Sequence, residues 1–134
     1  MIKKIDHIGI AVSSLEKILP FYIDIMKLEL LHIEEVESEG VRIAFIAAGE
    51  TKIELLEPIN EESAVARYIR KYGEGMHHIA FAVNSIEERI EEINEKGIKM
   101  ISSQPKTGAG GAAIAFMHPQ STGRVLVELC ERKE

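Results

Sequence analysis

DHIGIAVSSLEKI, residues 6–18, returns 71 positions later as HHIAFAVNSIEERI, residues 77–90. In each copy, residues of alternating bulk make a strand-length run. Ser13-Ser14 or Asn84-Ser85 then supplies a helix-capping signal, and apolar residues recur at helical spacing. Each copy therefore opens as strand then helix, and the chain reads as an internal duplication. Beyond the first helix, which Pro20 is expected to bend or interrupt, apolar runs at 28–36, 41–47 and 52–56 are punctuated by Gly40 and Gly49. Beyond the second, ending near Gly97, come runs at 98–102, 112–117 and 124–130. These read as strands separated by Gly- and Pro-containing loops, so β-α-β-β-β occurs twice. Residues 63–72 have helical spacing and precede Gly73 and Gly75. The expected organisation is one α+β domain, 1–134, with a first module at about 1–60, a connector at about 61–75 and a second module at about 76–134.

With 134 residues the chain can bury a moderate core without disulfides. A net charge of -6 and a pI near 5.4 disfavour a nucleic-acid partner, which would demand a positive surface. Cys130 is the single cysteine, and neither a positive-plus-apolar leader nor a membrane-length apolar run occurs. The expectation is a soluble cytoplasmic protein.

The repeat places His7 and His78 at equivalent positions in the first strand of each half. The same comparison aligns TKIELLEP (51–58) with RVLVELCE (124–131), so Glu54 and Glu128 are equivalent in the last strands, 74 positions apart. Strand alternation puts Gly9 and Ala11 on the face of His7, and Ala80 and Ala82 on the face of His78. The bulkier Ile8, Ile10, Val12 and Ile79, Phe81, Val83 lie on the opposite faces. Small neighbours leave room beside each imidazole, while the bulky face is suited to helix packing. Two imidazoles and two carboxylates suit a divalent first-row metal with open positions for substrate oxygens. A lone strand histidine is more often structural, and duplication with two Glu partners reverses that reading; a lone strand glutamate is more often solvated. Glu128 lies between Val127 and Leu129, where an unpartnered carboxylate would be costly.

By parity His77 faces away from His78 and is read as structural; His32, in a charged edge-like segment, is read as solvated. His118, in the MHP turn, is also assigned to structure. PKTGAGGAA, residues 105–113, carries closely spaced backbone N–H groups and Lys106; it suits a carboxylate or phosphate and equally suits a flexible hairpin connection. Cys130 has no evident partner base and reads as a small apolar strand residue.

Taken together, DHIGIAV, KIELLEP, MHHIAFAV, FMHP and VLVEL resemble the vicinal oxygen chelate superfamily of glyoxalase, bleomycin-resistance and dioxygenase proteins over nearly the whole chain. KIELLEP followed by ESAVARYI, then GEGMHHIAFAV and FMHP, is similar more specifically to the methylmalonyl-CoA epimerase family. The resemblance implies paired βαβββ modules forming a cupped mixed sheet with helices outside, and a homodimer. It also implies a divalent ion, Co2+ before Mn2+, Ni2+ or Zn2+, held by His7, Glu54, His78 and Glu128. The implied reaction inverts the carbon between thioester and carboxylate of methylmalonyl-CoA through an enolate, with Glu128 as one acid/base group. In one version of the family pattern a basic Glu follows the GVR-like turn and a Gln occupies the last-strand ligand position of the first half. Here those places are Ile43 and Glu54, which points to Glu54 for the second acid/base role or for positioning a catalytic water. The alternatives are a glyoxalase-I-like isomerase and a metal-free small-molecule binding module.

Overall fold

A computed structural model describes residues 1–133. It divides into two compact units, one of His7–His77 and the other of Met1–Asp6 with the chain from His78 onward. Strands β1 (Ile2–Ala11) and β5 (Gly75–Val83) each run from one unit into the other.

The first unit takes the latter half of β1, helix α1 (Leu15–Pro20), strands β2 (Glu29–Val36), β3 (Val41–Ala48) and β4 (Thr51–Pro58), and helix α2 (Ala64–Tyr72). Its strand order is β2-β3-β4-β1, with β1 and β4 parallel and the other pairs antiparallel. The second unit takes β5, α3 (Ile86–Glu95), β6 (Lys106–Thr107), β7 (Ala113–Phe116) and β8 (Val127–Glu131). Its order is β5-β8-β7-β6, again with one parallel pair, β5 and β8. Both are α+β units built on mixed sheet, as expected from the repeat.

The duplication extends into the cores. Val12, Leu15, Ala44 and Leu55 are buried together in the first unit, and Val83, Ile86, Ala115 and Leu129 in the second. Within each set, the residue at the end of the first strand, Val12 just past β1 or Val83 closing β5, packs onto the helix that follows. Leu55 and Leu129, at 0% and 1% exposure, contribute about 1.5–3 kcal/mol each by burial. A further echo went unread in the sequence: Ile43-Ala44-Phe45 on β3 recurs as Ile114-Ala115-Phe116 on β7, with alanine turned to the core and its neighbours to the other face.

Two expectations need correction. Residues 98–102 form no strand; Met100 makes one isolated bridge to Met117, and the outer strand of this unit is the two-residue β6. Met100 is buried under α3 as a core contact, and Ser102-Ser103-Gln104-Pro105 then leads the chain off without a ladder. Residues 124–126 likewise precede β8 instead of opening it, because Arg124 adopts a positive φ of 68° in the turn after Gly123. Pro20 does interrupt the first helix. It brings no N–H for an α-helical bond, and the chain widens into a π turn at Phe21–Ile25, closed by the Met26 N–H donating to the Phe21 carbonyl at 2.9 Å.

Candidate functional site

Each unit holds one buried histidine–glutamate pair. In the first, His7 Nδ1 lies 3.2 Å from Glu54 Oε2; in the second, His78 Nε2 lies 3.3 Å from Glu128 Oε1. Exposures are 3% for His7, Glu54 and Glu128 and 8% for His78. Strand register produces both pairs. Glu54 stands opposite Gly9 across the β1–β4 pairing, and Glu128 opposite Ala80 across β5–β8. On its other side Glu54 pairs with Phe45, and Glu128 with Phe116. The small residue two places after each histidine vacates the volume through which imidazole and carboxylate meet, and the phenylalanine walls it. The His78 ring meets Phe116 edge-on, with centroids 5.8 Å apart.

Two donors on one first-row ion at about 2.1 Å lie about 3.0 Å apart at octahedral angles and about 3.4 Å at tetrahedral ones. The observed 3.2 and 3.3 Å separations fall in that interval, and imidazole with carboxylate is a donor set that such ions accept. Each pair therefore fits a divalent ion held between its own imidazole and carboxylate. Ile43, on the Glu54 face of β3 and 5% exposed, offers no titratable group.

The histidines outside the pairs make other contacts. His77 is half-buried with its ring edge-on to Tyr68 of α2 at 5.0 Å, and burial lowers its pKa. His32 is exposed, stacked on Phe45 with Nε2 3.6 Å from Glu34. His118 caps a turn, its Nδ1 accepting from the Gln120 N–H at 3.2 Å. Cys130 packs among Ala80, Ala112 and Ile114. In the Gly-rich loop, a β-carbon on Gly108 would come within 2.7 Å of Ile114 Cδ1, so the backbone itself packs on β7; Lys106 Nζ sits 5.8 Å over the Phe116 ring.

Two carboxylates that the sequence reading passed over hold the pairs in register. Glu57 accepts from the Leu15 N–H at 2.9 Å; Glu131 accepts from the Ser85 and Ile86 N–H groups at 2.8 and 3.0 Å. Each lies three residues beyond the site glutamate and ties the last strand of its unit to the helix following the histidine strand. The two amide bonds lower the pKa of Glu131, Ile86 contributing most. The E-x-x-E spacing in KIELLEP and VELCE was the available signal. Ser14 caps α1 through its side chain, whereas Ser85, at φ 52°, does not cap α3, leaving that role to Glu131. A third missed feature is the ion pair of Asp6, 3% exposed, with Arg132.

A model of the Glyoxalase/Bleomycin resistance protein/Dioxygenase superfamily matches residues 6–116, and the chain belongs to that superfamily. Within it, the chain belongs to the methylmalonyl-CoA epimerase family, a family of enzymes. It is 35% identical over 131 residues to the ethylmalonyl-CoA/methylmalonyl-CoA epimerase of Cereibacter sphaeroides, covering 96% of this chain and 98% of that one. Among solved structures, a methylmalonyl-CoA epimerase in complex with methylmalonyl-CoA and ammonium superposes with a TM-score of 0.93 at 36% identity, covering 98% of this chain and 95% of that one. The hypothetical protein BH1468 of Bacillus halodurans superposes with a TM-score of 0.97 at 57% identity over the same shares.

Proposed function

We propose that this protein epimerises methylmalonyl-CoA, with His7, Glu54, His78 and Glu128 acting together on one divalent ion. The observation that carries the reading is the duplicated buried pair, with matching register and separations of 3.2 and 3.3 Å. Family membership and the methylmalonyl-CoA complex of a 36% identical relative support the choice of substrate. When bound, the ion would supply positive charge toward the thioester and carboxylate oxygens as the enolate develops; Co2+ is the ion the family resemblance favours.

The protein's own groups carry the proton. One oxygen of the Glu128 carboxylate takes the hydrogen from the substrate α-carbon, and the C–H electron pair moves into the enolate. Glu54, entering with a proton on the oxygen turned away from the ion, returns that proton to the opposite face and leaves as carboxylate. Exchange with solvent restores both groups. Ile43 leaves Glu54 as the second acid/base group. The histidines orient the carboxylates, and Phe45 and Phe116 keep the reacting faces apolar.

Metal-reconstituted protein in deuterated buffer should exchange the α-hydrogen of methylmalonyl-CoA and interconvert its epimers, followed by NMR. No exchange by protein carrying stoichiometric metal would defeat the assignment, and turnover of a glutathione hemithioacetal instead would replace it with the glyoxalase-like one. No helix among the described residues is long and apolar enough to cross a membrane. A cytoplasmic homodimer completes the proposal; a monomer mass by light scattering at micromolar concentration would remove the dimer from it.

A further inference from the structure

Arg132 connects three parts of one unit. Its Nε and Nη2 donate side-on to the buried Asp6 carboxylate at 3.0 and 2.8 Å. Its Nη1 lies 3.1 Å from where a β-carbon on Gly110 would stand. Asp6 is joined by one peptide bond to His7, and Arg132 lies four residues beyond Glu128, one past the end of the same strand. The loop beside Nη1 is the Gly-rich segment singled out in the sequence. Gly110 has a φ of 67°, and the loop is closed by the Gly108 N–H donating to the Ala112 carbonyl at 2.8 Å. Gly108 packs on Ile114, whose face also presents Phe116, the cross-strand neighbour of Glu128.

A buried carboxylate binding a guanidinium side-on leaves that guanidinium one orientation, because both groups are planar and both bonds must be made together. The edge left over then meets the loop at a defined place. We propose that Arg132, oriented by Asp6, is a positioning residue that fixes the Gly108–Gly111 loop over the Glu128 face, where the loop backbone confines the acyl end of the thioester. This rests on the functional reading above. Lysine would keep the charge beside Asp6 but lose both the planar lock and the second edge.

Arg132→Lys, assayed at least 10 °C below its own Tm and reconstituted with Co2+, should bind the metal with the wild-type visible absorption spectrum while its KM for methylmalonyl-CoA rises. Its kcat/KM should fall roughly 10- to 100-fold, the effect typical of residues that orient a site from behind. Gly110→Ala reads the same contact from the exposed loop side, through its 3.1 Å approach and positive φ, and should raise KM in the same direction even where Arg132→Lys folds poorly. A merely structural ion pair would lower Tm and leave both constants of the folded enzyme unchanged. Wild-type KM and kcat in either folded variant would overturn the proposal. A wild-type protein that binds Co2+ but exchanges no α-hydrogen would instead overturn the functional reading on which it rests.

Discussion

The two units solve one structural problem with different amounts of regular structure. Both bring a buried histidine and glutamate to within 3.3 Å, and both tie the next helix to the last strand through a glutamate carboxylate. Yet the first is bounded by β2, eight residues long and paired along its length with β3, while the second ends in the two-residue β6 and a glycine loop. Their helix starts also differ. Glu57 gives one oxygen to Leu15 and keeps the other 3.4 Å from Arg42, and Ser14 caps the helix itself. Glu131 spends both oxygens on Ser85 and Ile86, where no side-chain cap exists. What the repeat preserves is the central strands, their register and the carboxylate tie; the periphery differs, and there the second unit carries a glycine-rich loop where the first has a long strand.

The sharpest way to break the equivalence is chemical. Glu54→Gln and Glu128→Gln should each lower epimerisation by roughly 10²- to 10⁴-fold, the usual contribution of a positioned acid/base group. Each variant should still exchange the α-hydrogen of one epimer, and the two should differ in which epimer exchanges. Identical stereochemistry in both variants, read by deuterium incorporation, would mean the two carboxylates do not face opposite sides of the substrate. Next in size come matched core truncations. Leu55→Ala and Leu129→Ala should each destabilise by about 2–5 kcal/mol in urea unfolding, and near-equal losses are expected because both side chains are fully buried. Gly108→Ala probes the asymmetric edge: its methyl would press on Ile114 at 2.7 Å and should cost about 1–3 kcal/mol of stability. No counterpart is expected at Gly49, where an added β-carbon meets no atom within 4 Å and only its positive φ opposes substitution.

The smallest effect separates the two carboxylate ties by pH. Glu131→Gln should destabilise by about 0.5–1 kcal/mol near neutrality, at the low end for a helix cap because solvent screens the charge. The folded-state pKa of Glu131 is lowered from 4.5 by its two amide bonds. Its contribution is thus complete above the unfolded value and is lost as pH falls through the folded one. Wild type and variant should converge in acid. A stability gap that persists unchanged well below pH 4.5 would show that the carboxylate charge is not what holds the α3 terminus.

Most of the architecture was legible because it is local or repeated. His7 and His78, the small residues beside them, and Glu54 and Glu128 all follow from alternation along strands and from the 71- and 74-residue offsets. The connector helix, capped by Ser63 whose hydroxyl accepts from the Ala66 N–H at 3.0 Å, announced itself by spacing. Residues 98–102 misled because one apolar residue, Met100, faces the core while Ile101 beside it is exposed, and only the neighbouring strand decides whether such a segment is paired. Glu57 and Glu131 looked like ordinary surface carboxylates, since their partners lie 42 and 45 residues away.

By itself the sequence determined the duplication, the strand-helix openings of each half and the two histidines set toward small-residue faces, because periods of 2 and 3.6 are imposed by backbone geometry within a few residues. Only the tertiary structure decided the register that sets Glu54 beside Gly9 and Glu128 beside Ala80, the helix ties of Glu57 and Glu131, and the lock of Arg132 on Asp6 across 126 positions. Those contacts depend on which strands come to lie next to each other, and the chain writes no local mark for a neighbour so distant.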